Sequence, residues 1–295
     1  MSGALLLTGG TGFLGSHLLR HFLNEGHEVV VAKRSFSDLW RIRDLTGRIV
    51  TYDIDLVPLE TLFKEHRFAT IVHSATNYGR REIEPTEVVD SNLVLPLHLL
   101  QLGAKHGLRT FINTDTLLDK RVSHYSLSKS HFSDWLRYYS SKVHCVNVAL
   151  THFYGPQDDG SKFVTQMIRE LLSERPSIQL TPGQQKRDML HVQDVVSAFA
   201  QVYRFALERP AGFDEFEVGS GRSHEIREIV QTIKRLSGNQ RTRLEFGALP
   251  YRPNEAMNIL IDPEPLRRLG WQPTLSLEEG LARTIESERK QATRL

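Results

Sequence analysis

Residues 8–15 read Thr8-Gly9-Gly10-Thr11-Gly12-Phe13-Leu14-Gly15 (TGGTGFLG), and this stretch decides the fold. The apolar run Ala4–Leu7 precedes it and supplies a buried strand. Phe13, Leu14, Leu18, Leu19 and Phe22 then recur at helical spacing, and a strand pattern returns over Glu28–Ala32. The order is strand, glycine turn, helix, strand. Gly9, Gly12 and Gly15 permit the tight turn and let the backbone approach a pyrophosphate at the helix N-terminus. A glycine cluster alone is weak, since turns contain glycine anyway. Its place between a first strand and a first helix turns it into a dinucleotide-binding signal, preferred here over a simple packing turn.

Working outward, further strand patterns cover Arg48–Tyr52, Thr70–His73, Thr110–Asn113 and His144–Leu150. Helical patterns fall between them at Leu59–His66, Val88–Lys105 and Tyr125–Ser141. This alternation predicts an α/β fold, a Rossmann-type parallel sheet covered by helices on both faces. The pattern changes after Tyr154-Gly155-Pro156. A GPQDDG loop follows, then helices near Phe163–Leu172, Val192–Leu207 and Ser223–Leu236, and a basic, proline-containing segment up to LGWQP. The expected division is a dinucleotide-binding domain over residues 1–155, to which segments around 187–220 return. A smaller, partly interleaved C-terminal substrate-binding domain takes mainly residues 156–295. It is expected to close over the carboxyl ends of the strands, where open α/β sheets bind ligands.

Charge and composition narrow the function. With 37 basic and 35 acidic residues the net charge is +2, which gives no support for nucleic-acid binding. A local basic pocket for one anionic small molecule remains open. The single cysteine, Cys145, rules out an intrachain disulfide framework, and its apolar surroundings suit a buried thiol. No run approaches the roughly 18 apolar residues of a membrane span. The N-terminus lacks a basic leader before a long apolar region, so a cytoplasmic protein is expected. The histidines are scattered, and no metal site is expected.

The cofactor is read from the end of the second strand. An NAD site usually carries an acidic residue roughly 20 residues beyond the glycine loop to hold the ribose hydroxyls. Here VVVA ends in Lys33-Arg34, cations able to pair with a 2′-phosphate, so NADPH/NADP+ is expected. A solvated strand end is the plain alternative. Asp53, after the third strand, is placed to contact the adenine or its ribose edge.

Tyr125 and Lys129, in VSHYSLSKSHFSDWL, are four residues apart and share a helical face. A tyrosine ordinarily titrates near 10, and a neighbouring ammonium lowers that value by stabilising the phenolate. Lys129 can also grip a cofactor ribose, and Thr114 of FINTDT can hydrogen-bond a substrate oxygen. Such a set donates a proton to an oxygen while hydride reaches its carbon. Tyr-x-x-x-Lys alone is common; the surrounding motifs give it meaning.

TGGTGFLG, YDID, HSA, Asn92, NTDT, YSLSK, FYGP, RDMLHVQDV and LGWQP, running from residue 8 to residue 273, together resemble an extended short-chain dehydrogenase/reductase acting on a nucleotide sugar. The resemblance implies that Gly9, Gly12, Phe13, Leu14 and Gly15 form the pyrophosphate turn, and Asp53 with Ile54 the adenine pocket. It makes His73, Ser74, Ala75 and Asn92 part of the cofactor lining. Thr114, Tyr125 and Lys129 match the catalytic hydroxyl, tyrosine and lysine. On the substrate side it implies Tyr78, Asp115, Thr116, His152, Lys162, Phe163, Arg187 and Arg252. His152 stands where many relatives have an asparagine. Arg187 and Arg252 match arginines that reach the nucleotide diphosphate, as paired charge-assisted hydrogen bonds suit phosphates. For Arg187 the plain alternative is an ion pair with Asp188 or Asp194, and Asp194 itself reads as structural.

Within the family, dehydratases commonly show Thr-Asp-Glu where this chain has Thr114-Asp115-Thr116, and a threonine hydroxyl is no substitute for a glutamate base. A 4-epimerase typically keeps a tightly held NAD with an acidic ribose clamp, against which Lys33-Arg34 argues. The stretches FINTDTLLDK, HFYGPQDDGSKFV and LEFGALPYRPNEA resemble most the CDP-abequose synthase branch, reductases of nucleotide-linked 4-keto-6-deoxyhexoses. The expectation is therefore NADPH-dependent reduction of the C4 ketone of a nucleotide-diphosphate 4-keto-deoxysugar. An NAD(P)-dependent 4-epimerase is the alternative. A 4,6-dehydratase or a non-catalytic NADP(H)-binding regulator stands further off. Val88–Lys105 and Tyr125–Ser141 match the helices that form the dimer interface in relatives, although their apolar positions suit ordinary core equally well; a homodimer is expected.

Overall fold

The computed structural model describes residues 3–80, 83–253 and 255–292. Its first strand, β1 (Ala4–Thr8), is buried along its whole length, as a strand covered on both faces must be. α1 (Phe13–Asn24) follows the glycine turn and buries Leu14, Leu18, Leu19 and Phe22. Next come β2 (Val29–Lys33), a 3-10 stretch over Trp40–Arg48, β3 (Val50–Asp53), α2 (Leu59–Glu65) and β4 (Phe68–His73). The helix expected over Val88–Lys105 is built in three pieces: α3 (Pro85–Val89), a π turn over Asp90–Val94 and α4 (Leu95–Lys105). Single π turns of this kind recur at functional sites, and this one carries the fully buried Asn92. β5 (Thr110–Thr116), α5 (His124–Tyr139) and β6 (His144–Leu150) complete the alternation.

Past β6 the elements are β7 (His152–Tyr154), α6 (Phe163–Leu172), β8 (Ser177–Leu180), β9 (Lys186–Arg187) and β10 (Met189–His191). They continue with α7 (Val192–Leu207), β11 (Gly212–Val218), β12 (His224–Glu225), α8 (Ile226–Leu236), β13 (Arg243–Phe246), α9 (Glu264–Arg268) and α10 (Leu277–Ala292). The chain forms two units: Met1–Leu150 with Val196–Glu217, and Thr151–Val195 with Val218–Leu295.

The first unit is built on a seven-stranded sheet in the order β11-β6-β5-β4-β1-β2-β3. β1 pairs in parallel with both β2 and β4, so the winding direction reverses between β1 and β4. In open α/β sheets that switch point, at the carboxyl ends of the strands, is the ligand crevice. Thr8 of β1, His73 of β4, Asn113 of β5 and Asn147 of β6 stand in register, a row of polar residues crossing the sheet. The second unit uses three short pairings, β10-β7, β12-β9 and β13-β8. Its core gathers Tyr154, Ile168, Leu171, Ile229, Val230 and Ile285. α8 is entered through a reciprocal cap between Glu225 and Glu228, and its Ile226, Ile229, Val230 and Ile233 form the buried stripe. Among the described residues no helix is long and apolar enough to cross a membrane.

Candidate active site

At the switch point, Gly9 has φ +69°, and a Cβ placed there would fall 2.5 Å from the Ala75 nitrogen. A Cβ on Gly15 would lie 2.0 Å from the Gly9 carbonyl oxygen. α1 opens on Gly12 with no side chain capping it, which leaves the positive end of the helix dipole to an anion. Behind the turn, Thr8 Oγ1 lies 2.8 Å from His73 Nδ1 and accepts the Ala75 N–H at 3.3 Å. Ser74 Oγ donates to the Thr8 carbonyl at 2.8 Å. Burial, reinforced by the Lys129 charge, holds His73 well below its ordinary value, so the ring is neutral. These residues fit a dinucleotide pyrophosphate.

The end of β2 differs from its sequence reading in one respect. Lys33 Nζ is 3.0 Å from Asp53 Oδ2, and Arg34 Nε is 2.5 Å from Asp55 Oδ1. Ser35 joins them, its hydroxyl donating to Asp53 and its N–H to Asp55. Two cations therefore face two carboxylates, and Lys33 holds Asp53 below the usual carboxylate range. Any 2′-phosphate here competes with Asp53 and Asp55. Asp55 stands two residues after Asp53 in YDID, a proximity legible in the sequence and passed over.

α5 is capped by Ser123, whose hydroxyl accepts the Ser126 N–H. One turn in, the Tyr125 ring lies 5.1 Å from that of the exposed Tyr78. Lys129 is 1% exposed and donates from Nζ to the Thr114 carbonyl at 2.9 Å. The Thr114 hydroxyl is buried with no hydrogen-bond partner, an arrangement that costs about 1–3 kcal/mol and that a substrate oxygen would relieve. Burial raises the Tyr125 phenol above its ordinary value, the neighbouring Tyr78 adds to this, and the Thr116 hydroxyl opposes it. This corrects the expectation that Lys129 lowers the phenol: desolvation wins, and Tyr125 is protonated at neutral pH. Lys129 itself is drawn down to about 8 by burial, with the Asp115 charge opposing.

Asn92 is wholly engaged with its neighbours. Its Oδ1 accepts the Asn77 N–H at 2.9 Å, and its Nδ2 donates to the Asn77 carbonyl at 2.8 Å and to Ser128 Oγ at 3.1 Å. It thereby fixes the loop after β4 against α5. Asp115 accepts the Thr116 N–H at 2.7 Å and the Asn147 amide at 2.8 Å. Asn77, Ser128, Asn147 and Glu215 went unread in the sequence because the partners that place them, Asn92, Asp115 and Arg137 among them, lie 15 to 78 residues away. Ile54 packs against the sheet core beside Tyr52.

In the second unit, His152 is neutral, held at about 4 by burial and by the charges of Arg187 and Lys162. Arg187 is buried, donating from Nη1 to the Lys186 and Ala256 carbonyls, each at 2.7 Å, and pairing through Nη2 with Glu255. Neither Asp188 nor Asp194 is its ion-pair partner. Asp188 accepts from Ser220 and Gly221, and Asp194 ties down Thr274 and Leu275. Lys162 is the N-cap residue of α6, and Phe163 packs on the unit's core. Arg252 is exposed, its carbonyl accepting the Glu255 N–H at 3.1 Å.

A glycine turn at the switch point of a 3-2-1-4-5-6 sheet, with tyrosine and lysine one helical turn apart beside it, defines an NAD(P)-binding oxidoreductase of the extended short-chain dehydrogenase/reductase type. The sequence profile of the NAD dependent epimerase/dehydratase family matches residues 5–219, and the chain belongs to that family. It is similar to CDP-abequose synthase of Salmonella muenchen, 30% identical over 290 residues that cover 95% of this chain and 96% of that one. It is also similar to UDP-glucuronate 4-epimerase of Thermodesulfobacterium geofontis, 25% identical, covering 96% and 95% of the two chains. Among solved structures, UDP-glucose 4-epimerase of Thermus thermophilus in complex with NAD superimposes with a TM-score of 0.82 at 25% identity, covering 97% of this chain and 99% of the other.

Proposed function

We propose that the chain reduces the C4 ketone of a nucleotide-linked 4-keto-deoxyhexose, drawing its hydride from NADPH. The observation that carries this reading is the buried set on α5 and β5: Lys129 donates from Nζ to the Thr114 carbonyl one helical turn from Tyr125, whose phenol is protonated at neutral pH. Reduction needs a proton donor at the carbonyl oxygen, and the protonated phenol is that donor. The unpartnered Thr114 hydroxyl supplies a second hydrogen bond to the same oxygen. The bound dinucleotide supplies the hydride. Lys129 holds its ribose, Gly9, Gly12 and Gly15 admit its pyrophosphate, and Asn92 steadies the loop that lines it. In this proposal the unit containing His152 and Arg187 binds the sugar nucleotide, with the Arg187 guanidinium on the diphosphate. Remote binding energy of that kind orients the reacting carbon. A homodimer joined through α4 and α5, where Leu127, Trp135 and Tyr138 are exposed, belongs to the same proposal.

A 4-epimerase is the second reading, and two observations favour it. Most of the named relatives are 4-epimerases. The Lys33 and Arg34 charges are also matched by Asp53 and Asp55, so the basic strand end does not by itself select a 2′-phosphate. One experiment separates the two readings. The enzyme is incubated with NADPH and CDP- or dTDP-linked 4-keto-6-deoxy sugars, and separately with UDP-glucose or UDP-glucuronate. Stoichiometric NADPH oxidation with a 4-keto sugar supports the reductase. Interconversion of C4 epimers with no net cofactor consumption contradicts it and establishes the epimerase.

A further inference from the structure

α5 carries Lys129, Ser133 and Arg137 at successive four-residue steps, which places them on one face. A polar set faces it: Asn147 Nδ2 reaches Ser133 Oγ at 3.4 Å, and Lys129 donates to the carbonyl of Thr114, the residue before Asp115. Asn113 Nδ2 donates to Asn147 Oδ1 at 2.8 Å, which fixes the orientation of the Asn147 amide. Asn147 Nδ2 then donates to Asp115 Oδ2 and to Glu215 Oε1, each at 2.8 Å. At the outer end Arg137 pairs with Glu215 at 2.8 Å, both half exposed. One amide thus bridges two carboxylates, Arg137 closes the outer end through Glu215, and the Lys129 ammonium is bonded one residue from Asp115 at the inner end.

Lys129 needs this set. Its ammonium is 1% exposed, and its hydrogen bond goes to a neutral carbonyl, that of Thr114. A buried ammonium is costly unless an opposite charge stands near it. The charged and titratable groups that act on it are few. His73 on β4 is neutral, Tyr125 on its own helix is protonated, and Asp115 on β5 is the carboxylate. Burial raises the Asp115 carboxyl above its ordinary value, and the like charge of Glu215 adds to this. The Asn147 amide and the Thr116 N–H are the donors that offset this.

We propose that Asp115 is a positioning residue, the buried counter-charge that keeps Lys129 cationic for the cofactor, and that Asn147 holds Asp115 in that role. Asp115 then acts through Lys129 and does not touch the sugar. The inference rests on the placement of Lys129 against the dinucleotide and is indifferent to whether the reaction is reduction or epimerisation.

The test is the dissociation constant of NADPH, and of NADH in parallel, as a function of pH. In the wild type, affinity falls about tenfold per pH unit once pH passes the Lys129 value of about 8. In Asp115→Asn the fall begins at least about one pH unit lower, so affinity is strongly reduced near pH 8 and much less near pH 6. Asp115→Glu, which retains the charge, restores the wild-type limb. Should Asp115→Asn not fold, Asn147→Ser leaves the carboxylate but removes the donor that holds it, and the limb moves the same way by a smaller amount. A limb left in place by both Asp115→Asn and Asn147→Ser overturns the inference, as does a rise in the sugar-nucleotide KM with the cofactor limb unmoved. Absence of NADPH and NADH binding in the wild type would overturn the cofactor reading and this inference together.

Discussion

At the scale of the residue, burial decides more than proximity does. Tyr125 and Lys129 stand one helical turn apart, yet the phenol titrates above its ordinary value because desolvation, with Tyr78 adding to it, outweighs the hydrogen bond from Thr116. Tyr125→Phe removes only the donated proton, so turnover should drop by roughly a hundredfold or more while NADPH affinity is retained. Equal turnover in the variant would remove Tyr125 from the chemistry. The cofactor end obeys the same logic of competing partners. Arg34 is tied to Asp55, and Asp55→Asn releases it, so the affinity for NADPH relative to NADH should rise by roughly tenfold, the scale of one charge-assisted hydrogen bond. Binding titrations with both dinucleotides check this, and an unchanged ratio would show that the strand end does not meet the 2′ position. The sequence shows all four side chains, but which cation meets which acid follows from the pairing of β2 with β3, where Lys33 stands opposite Asp53.

At the scale of the element, the glycine turn couples stability to binding. A Cβ on Gly15 would lie 2.0 Å from the Gly9 carbonyl, so Gly15→Ala forces the turn open. The expected result is a loss of about 1–3 kcal/mol in unfolding free energy, with dinucleotide binding lost as well. Denaturant unfolding and cofactor titration check the two parts separately. Elements with a clean period were legible in the sequence: α6 and α7 keep the expected Phe163–Leu172 and Val192–Leu207, and β6 keeps His144–Leu150. Others were not. β9 and β12 have two residues each, too few for an alternation to register. The π turn over Asp90–Val94 interrupts a pattern that reads as one helix. α10 (Leu277–Ala292) is rich in charge, and its buried positions, Gly280, Leu281, Thr284, Ile285 and Glu288, mix apolar with polar side chains, which hides the stripe.

At the scale of the whole molecule, the alternation that opens the chain foretells the parallel sheet, and the motif order foretells the family. The polar row through Thr8, His73, Asn113 and Asn147 is a product of register, which no local pattern encodes. It also has a thermodynamic consequence. His73 and His152 are both held below their ordinary 6.5, His152 at about 4, so the folded chain binds fewer protons than the unfolded chain between those values. Stability therefore rises with pH across that window and is lost as pH falls through it. The melting temperature should fall on acidification from about 6.5 towards about 4, and His152→Gln should flatten part of the slope. A melting temperature flat across the window would contradict the buried neutral imidazoles. The proposed net hydride transfer to C4 is tested with NADPH carrying deuterium at the transferable position. One deuterium at C4 of the product for each NADPH oxidised is the expected result. Recovery of C4 epimers without deuterium and without NADPH loss would contradict it.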